Sequence, residues 1–122
     1  AVDYAKQRVA FGSTLSGHQA IQFMLADNDV ELRAAALLVN EALEMTDAGC
    51  ADARIAASRA KLYATEMGCR VVDRVMQIFG GMGYMTELPI ERFYRDIRAF
   101  RIGEGTSEMQ RIQIARHVIG NS

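Results

Sequence analysis

The stretch DARIAASRAKLYATEMGCRVVDRVMQIF, residues 52–79, decides the fold. Within it Ile55, Ser58, Leu62, Thr65, Cys69, Val72, Met76 and Phe79 follow one another at alternating steps of three and four. Such steps place them on one stripe of an α-helix. A stripe repeating every 3.5 residues is what near-parallel helix packing requires. Upstream, residues 18–47 carry Ile21, Leu25, Leu32, Ala35, Val39 and Leu43 at spacings mostly of three and four, with one step of seven across Asn28. That predicts a second helix about 45 Å long at ~1.5 Å per residue. Ala48 and Gly49 leave only a short turn between the two, so they must run antiparallel and form half of a bundle.

Outward from this pair, Ala1 to Arg8 reads as the last turns of a helix, and the Gly- and Ser-rich run Phe11 to Gly17 breaks it. Gly80, Gly81 and Gly83 stop the 52–79 helix. Pro89 sits where a first helical turn tolerates it, and Ile90, Phe93, Tyr94 and Ile97 give the next helix an apolar face. A loop follows at Arg101 to Gly105. The last helix begins after Thr106 with Ser107 as expected N-cap, Gln110 as its capping-box partner, and Met109, Ile112, Ala115 and Ile119 turned inward. Counting the opening fragment, the prediction is all-α: an up-and-down four-helix bundle with a short extra helix, one domain over residues 1–122. The missing initiator Met and the opening inside a helix read as a piece of a longer chain.

Half of the residues are apolar, enough for one real core in 122 residues. With 14 basic against 15 acidic residues and a net charge of -1, no positive field favours nucleic acid or an anionic membrane. No apolar run approaches the roughly 20 residues that span a bilayer, so a soluble chain is expected. Cys50 and Cys69 form no CxxC pair, and both read as reduced helix residues. His18 and His117 stand in no HxxxH or HExxH pattern, and no metal site is expected.

Three places invite a functional reading, each beside a structural one. In Gly103-Glu104-Gly105-Thr106-Ser107 a carboxylate lies between glycines before a helix N-terminus. The glycines would let a ligand approach the backbone, and the N–H groups beyond would meet an oxygen; equally, the glutamate complements a helix dipole from a flexible loop. In Gln77-Ile78-Phe79-Gly80-Gly81-Met82-Gly83-Tyr84 the glycines close a helix rather than open one, unlike a phosphate loop, and a C-cap explains them. In Tyr4 to Gly12, Arg8 at a helix end suits a phosphate or the terminal carbonyls alike. The basic residues from Arg92 to Arg101 read as a solvated helix face.

These places, in this order, resemble the C-terminal domain of the acyl-CoA dehydrogenase family. The match runs through Tyr4-Ala5, Arg8, Phe11-Gly12, His18-Gln19, Gln77 to Gly81 and Gly83-Tyr84. It continues through Pro89, Glu91-Arg92, Arg95-Asp96 and Glu104 to Glu108. The resemblance implies a flavoenzyme of three domains, an N-terminal helical one, a middle β-barrel and this bundle, assembled as a dimer or homotetramer. It implies oxidation of acyl-CoA thioesters to trans-2-enoyl-CoA: a glutamate takes the α-proton, the β-hydrogen passes as hydride to FAD, and an electron-transfer flavoprotein receives the electrons.

On that resemblance the base is Glu104, whose backbone N–H also binds the thioester carbonyl, with Gly103 and Gly105 beside the substrate. The α-C–H is a weak acid, so electrostatic stabilisation of the enolate oxygen is what makes a carboxylate an adequate base. Arg8, Phe11, Gln19, Gln77, Gly80 and Gly81 match positions that hold FAD of a neighbouring subunit, and Thr106 and Glu108 match positions touching FAD of their own. Many members carry an aromatic residue where Gly103 stands, which bears on the width of the acyl pocket. An acyl-CoA oxidase-type relative, or a helical assembly module without flavin, is the alternative. The compartment implied is a bacterial cytoplasm or a mitochondrial matrix, and the chain by itself is expected to be inactive.

Overall fold

The computed structural model describes residues 1–120. Helix α1 (Val2–Gln7) leads into a two-stranded hairpin, β1 (Val9–Ala10) against β2 (Ser13–Thr14), then a 3-10 turn at Leu15–Gly17. Helices α2 (Gln19–Asp47) and α3 (Ala53–Phe79) follow, then the single turn α4 (Gly81–Tyr84), α5 (Ile90–Phe100) and α6 (Ser107–Ile119). The all-α reading holds. No helix among the described residues is long and apolar enough to cross a membrane.

Helix α3 is the hub: α2 packs along one flank, and α5 and α6 along the other. Its alanines let α2 come close, since Ala56 and Ala60 bury against Ala42, with Leu38 and Met45 packed around them. The stripe read from the sequence lies on the other flank. There the Ser58 hydroxyl donates to Oε1 of Gln113 in α6 at 3.3 Å, and Cys69 shares a small cavity with Tyr94 and Ile97 of α5. Gly68 makes the α5 crossing possible, because a Cβ there would stand 2.7 Å from Cδ1 of Ile97.

The buried face of α2 differs from the one expected. Ile21, Met24, Asn28, Glu31, Ala35, Leu38, Ala42 and Met45 are buried or half-buried, at unbroken steps of three and four. Leu32, Val39 and Leu43 are exposed instead. The seam runs straight through two polar residues, which the apolar pattern stepped around. They are tolerated because Arg74 of α3 donates to Asn28 at 3.2 Å and to Glu31 at 2.7 Å, while Arg70 donates to Glu31 at 3.0 Å.

Helix α6 also departs from expectation. Its N-cap is Thr106, whose hydroxyl accepts from the Met109 N–H at 3.3 Å, so Ser107 is the first helical residue and no capping box with Gln110 forms. Ser107 and Gln110 are buried and Gln113 and Ile114 half-buried, whereas Met109, Ile112, Ala115 and Ile119 are exposed. The helix turns its more polar side to α3 because Ser58 and Glu66 stand there.

Candidate functional site

The α5–α6 loop carries Glu104. Helix α5 ends as the N–H groups of Ile102 and Gly103 both return to the Ala99 carbonyl, at 3.0 and 2.9 Å. Ser107 N–H then reaches back to Arg101 O at 3.0 Å and closes the loop. At its tip Glu104 has φ 55, a left-handed conformation uncommon outside glycine, followed by Gly105 at φ 87. The Glu104 side chain is exposed, and its backbone N–H has no acceptor among the described residues.

Helix α3 holds this loop. Lys61 Nζ donates to the Gly103 carbonyl at 3.1 Å and also to the Gly105 carbonyl, which accepts in addition from Gln110 Nε2 at 3.2 Å. One and a half turns further, Glu66 takes Arg101 at 2.9 Å, with Arg111 at 3.7 Å. Burial pushes the Glu66 carboxyl up, but the nearby Ser107 hydroxyl and the Arg101 and Arg111 guanidinium groups outweigh it and hold the group below the usual range. The fully buried Ser107 Oγ lies close without completing a hydrogen bond of good geometry. Thus Arg101, read from sequence as part of a solvated face, is a loop anchor. The α3 partners were not legible locally, since Lys61 and Gly103 are 42 positions apart and Glu66 and Arg101 are 35 apart.

A second locus forms where α1 meets the end of α3. Tyr4 stacks on Phe79 with ring centroids 4.2 Å apart, and Ala5 is completely buried. The groove beside them, about 510 Å³, is lined by Arg8, Leu15, Gln77, Gly80 and Gly81 among others. Four of the six positions expected to hold a neighbour's cofactor therefore share one concavity. The other two stand near its entry in sequence: Phe11, 98% exposed at φ 54 on the hairpin tip, and Gln19, exposed at the start of α2. His18 Nε2 steadies that hairpin, 3.0 Å from Ala10 O and 3.1 Å from Ser13 Oγ.

Thr106 and Glu108 line a separate small cavity of about 80 Å³ with Arg98 and Arg101. Its own backbone N–H, and then the Thr106 hydroxyl, hold the Glu108 carboxyl below the usual range. The two loci are well separated. Lys61 and Gln77, which mark them on α3, are sixteen positions apart, about 24 Å of helix.

The family model described as "Acyl-CoA dehydrogenase, C-terminal domain" matches residues 1–119. The human mitochondrial short-chain specific acyl-CoA dehydrogenase is 47% identical over 119 residues, 98% of this chain and 29% of that protein. A 3-(aryl)acrylate reductase of Clostridium sporogenes is 45% identical over 98% of this chain and 31% of its own length. The butyryl-CoA dehydrogenase of Megasphaera elsdenii superposes with a TM-score of 0.93 at 38% identity, over 97% of this chain and 30% of that one. The chain spans about three tenths of the length of these relatives.

Proposed function

Because the chain belongs to the acyl-CoA dehydrogenase family, matching its C-terminal domain over residues 1–119, we propose that it serves a three-domain, homo-oligomeric enzyme that oxidises acyl-CoA thioesters to trans-2-enoyl-CoA with FAD. It supplies the base, Glu104, and part of two FAD sites. An electron-transfer flavoprotein is the proposed electron acceptor. The observation that carries this reading is the state of Glu104: an exposed carboxylate on a left-handed residue, beside its own N–H, which has no acceptor among the described residues. One residue thereby offers a proton acceptor and a donor for the neighbouring thioester oxygen. Removing an α-proton needs both together, because negative charge builds on that oxygen as the proton leaves.

The groove at Arg8 fits the diphosphate of FAD. Arg8 brings a guanidinium suited to phosphate oxygens, and Gly80, at φ 59, and Gly81 have open space where a side chain would stand, so an anion can approach the backbone. Gln77 adds an amide that can donate or accept. A flavin held by such sites would supply the acceptor for the β-hydrogen, taken as hydride. Thr106 and Glu108 line a cavity separate from that groove and suit contact with a different FAD, which supports a site shared between subunits.

The test is Glu104→Gln in the complete enzyme. The amide keeps the size of the side chain and the backbone N–H but accepts no proton at neutral pH. Acyl-CoA binding should persist while flavin reduction in stopped flow falls by about 10²–10⁴-fold. Reduction at near wild-type rate would move the base elsewhere.

A further inference from the structure

We propose that Lys61 is a positioning residue for the reaction: it sets the orientation of the peptide that presents Glu104 and its N–H to the substrate. The inference rests on the reading of Glu104 as base and carbonyl donor. The two carbonyls that flank Glu104, those of Gly103 and Gly105, both accept from the same ammonium group on α3. In a trans peptide the C=O and the following N–H point in opposite directions, and no peptide among the described residues is cis. Holding Gly103 O toward α3 therefore aims the Glu104 N–H away from α3, where it has no acceptor among the described residues. Holding Gly105 O fixes the peptide after Gly105, one residue beyond the left-handed Glu104.

Among the described residues nothing else does this for the first peptide. Gly105 O has a second donor in Gln110 Nε2, and the Arg101–Glu66 pair anchors the loop's beginning, but Gly103 O receives only Lys61 among the described residues. A loop tip with glycine on both sides has little steric reason to keep one peptide orientation. An ammonium on the carbonyl also polarises the peptide and strengthens its N–H as a donor. Lys61 thus acts through Glu104 without touching the substrate.

The experiment uses the complete enzyme with Lys61→Met, Lys61→Arg and Glu104→Gln side by side. Three readouts are taken: steady-state kcat and KM, the C=O stretching frequency of a bound 2-enoyl thioester, and hydrogen exchange of the Gly103 and Ser107 amides that close the loop. Lys61→Met should lower kcat about 10- to 100-fold, within the range for misplacing a reacting group or losing a carbonyl donor, with KM changed less than about threefold. The thioester stretch should return toward its value in water, and exchange should rise at the Gly103 and Ser107 amides, which donate to Ala99 O and Arg101 O, while α2 and α3 stay protected. Lys61→Arg should recover part of each, and Glu104→Gln should keep the stretch while losing the rate. If Lys61→Met keeps both rate and stretch while Glu104→Gln is inactive, the positioning role is overturned and the base reading stands. If Glu104→Gln reacts like wild type, the base reading fails, and this inference with it. Should Lys61→Met not accumulate, Lys61→Gln, which keeps a polar tip without the charge, is read by the same criteria.

Discussion

The two glycines around Glu104 have different reasons to be glycine, and they predict different outcomes. Gly105 stands at φ 87, and a Cβ on it would lie 2.9 Å from the Gln110 amide nitrogen that donates to its carbonyl. Gly105→Ala is expected to destabilise the chain by about 1–2 kcal/mol through left-handed strain and displacement of Gln110; urea denaturation measures it. Gly103 has no positive φ, and a Cβ there meets only Ala99 O at an ordinary 3.6 Å. Gly103→Tyr should therefore fold normally and, by filling space beside the base, shift kcat/KM from branched or bulky acyl-CoAs toward slim straight ones. An unmoved substrate profile would show that the position does not line the pocket. Glu104 stood out in the sequence as a carboxylate between glycines, and its proposed role as base came from the family resemblance rather than from that pattern. Lys61 did not stand out, since its role depends on which turn of α3 passes beneath the loop.

Among the elements, the α2–α3 seam and the α1–α3 junction carry the testable consequences. Arg74 chiefly holds the Glu31 carboxyl below its ordinary range, burial opposing it and Arg70 helping. A depressed folded-state value means this stability is fully present above the ordinary glutamate value. It is lost as pH falls below about 4 through the folded value. Glu31→Gln should cost about 1.5–3 kcal/mol at pH 7, the range for a hydrogen bond to a charged group, and should flatten the acid limb of a melting-temperature profile against pH. An unchanged limb would place the acid sensitivity elsewhere. At the other end of α3, Arg8→Ala in the complete enzyme should weaken FAD retention roughly tenfold or more, followed by flavin release on dilution; undiminished retention would remove Arg8 from the site. The existence and antiparallel pairing of α2 and α3 followed from periodicity and a short turn. The face of α2 did not, because Asn28 and Glu31 belong to the seam only when Arg70 and Arg74 are known to face them.

Over the whole molecule, much apolar surface stays open: Phe23, Val30, Leu37 and Leu43 on α2, and Val118 and Ile119 on α6, are all more than half exposed. A chain that buries so few of its large side chains and carries only parts of each proposed FAD site should give a helix-dominated circular dichroism spectrum by itself yet bind added FAD weakly or not at all. Tight binding by the isolated chain would contradict the shared-site reading. The amino-acid order by itself determined the helices, their stops at glycine, the antiparallel pair and the family. Periodicity and breakers act within a few residues, and the family motifs are short. Tertiary structure alone decided which faces are buried, that Thr106 rather than Ser107 caps α6, and that Lys61 and Glu66 clasp the Glu104 loop. Apart from the Thr106 cap, a contact over three positions, those outcomes depend on side chains that meet across 35 or more positions of chain, and a polar residue becomes buriable only when such a partner is there to satisfy it.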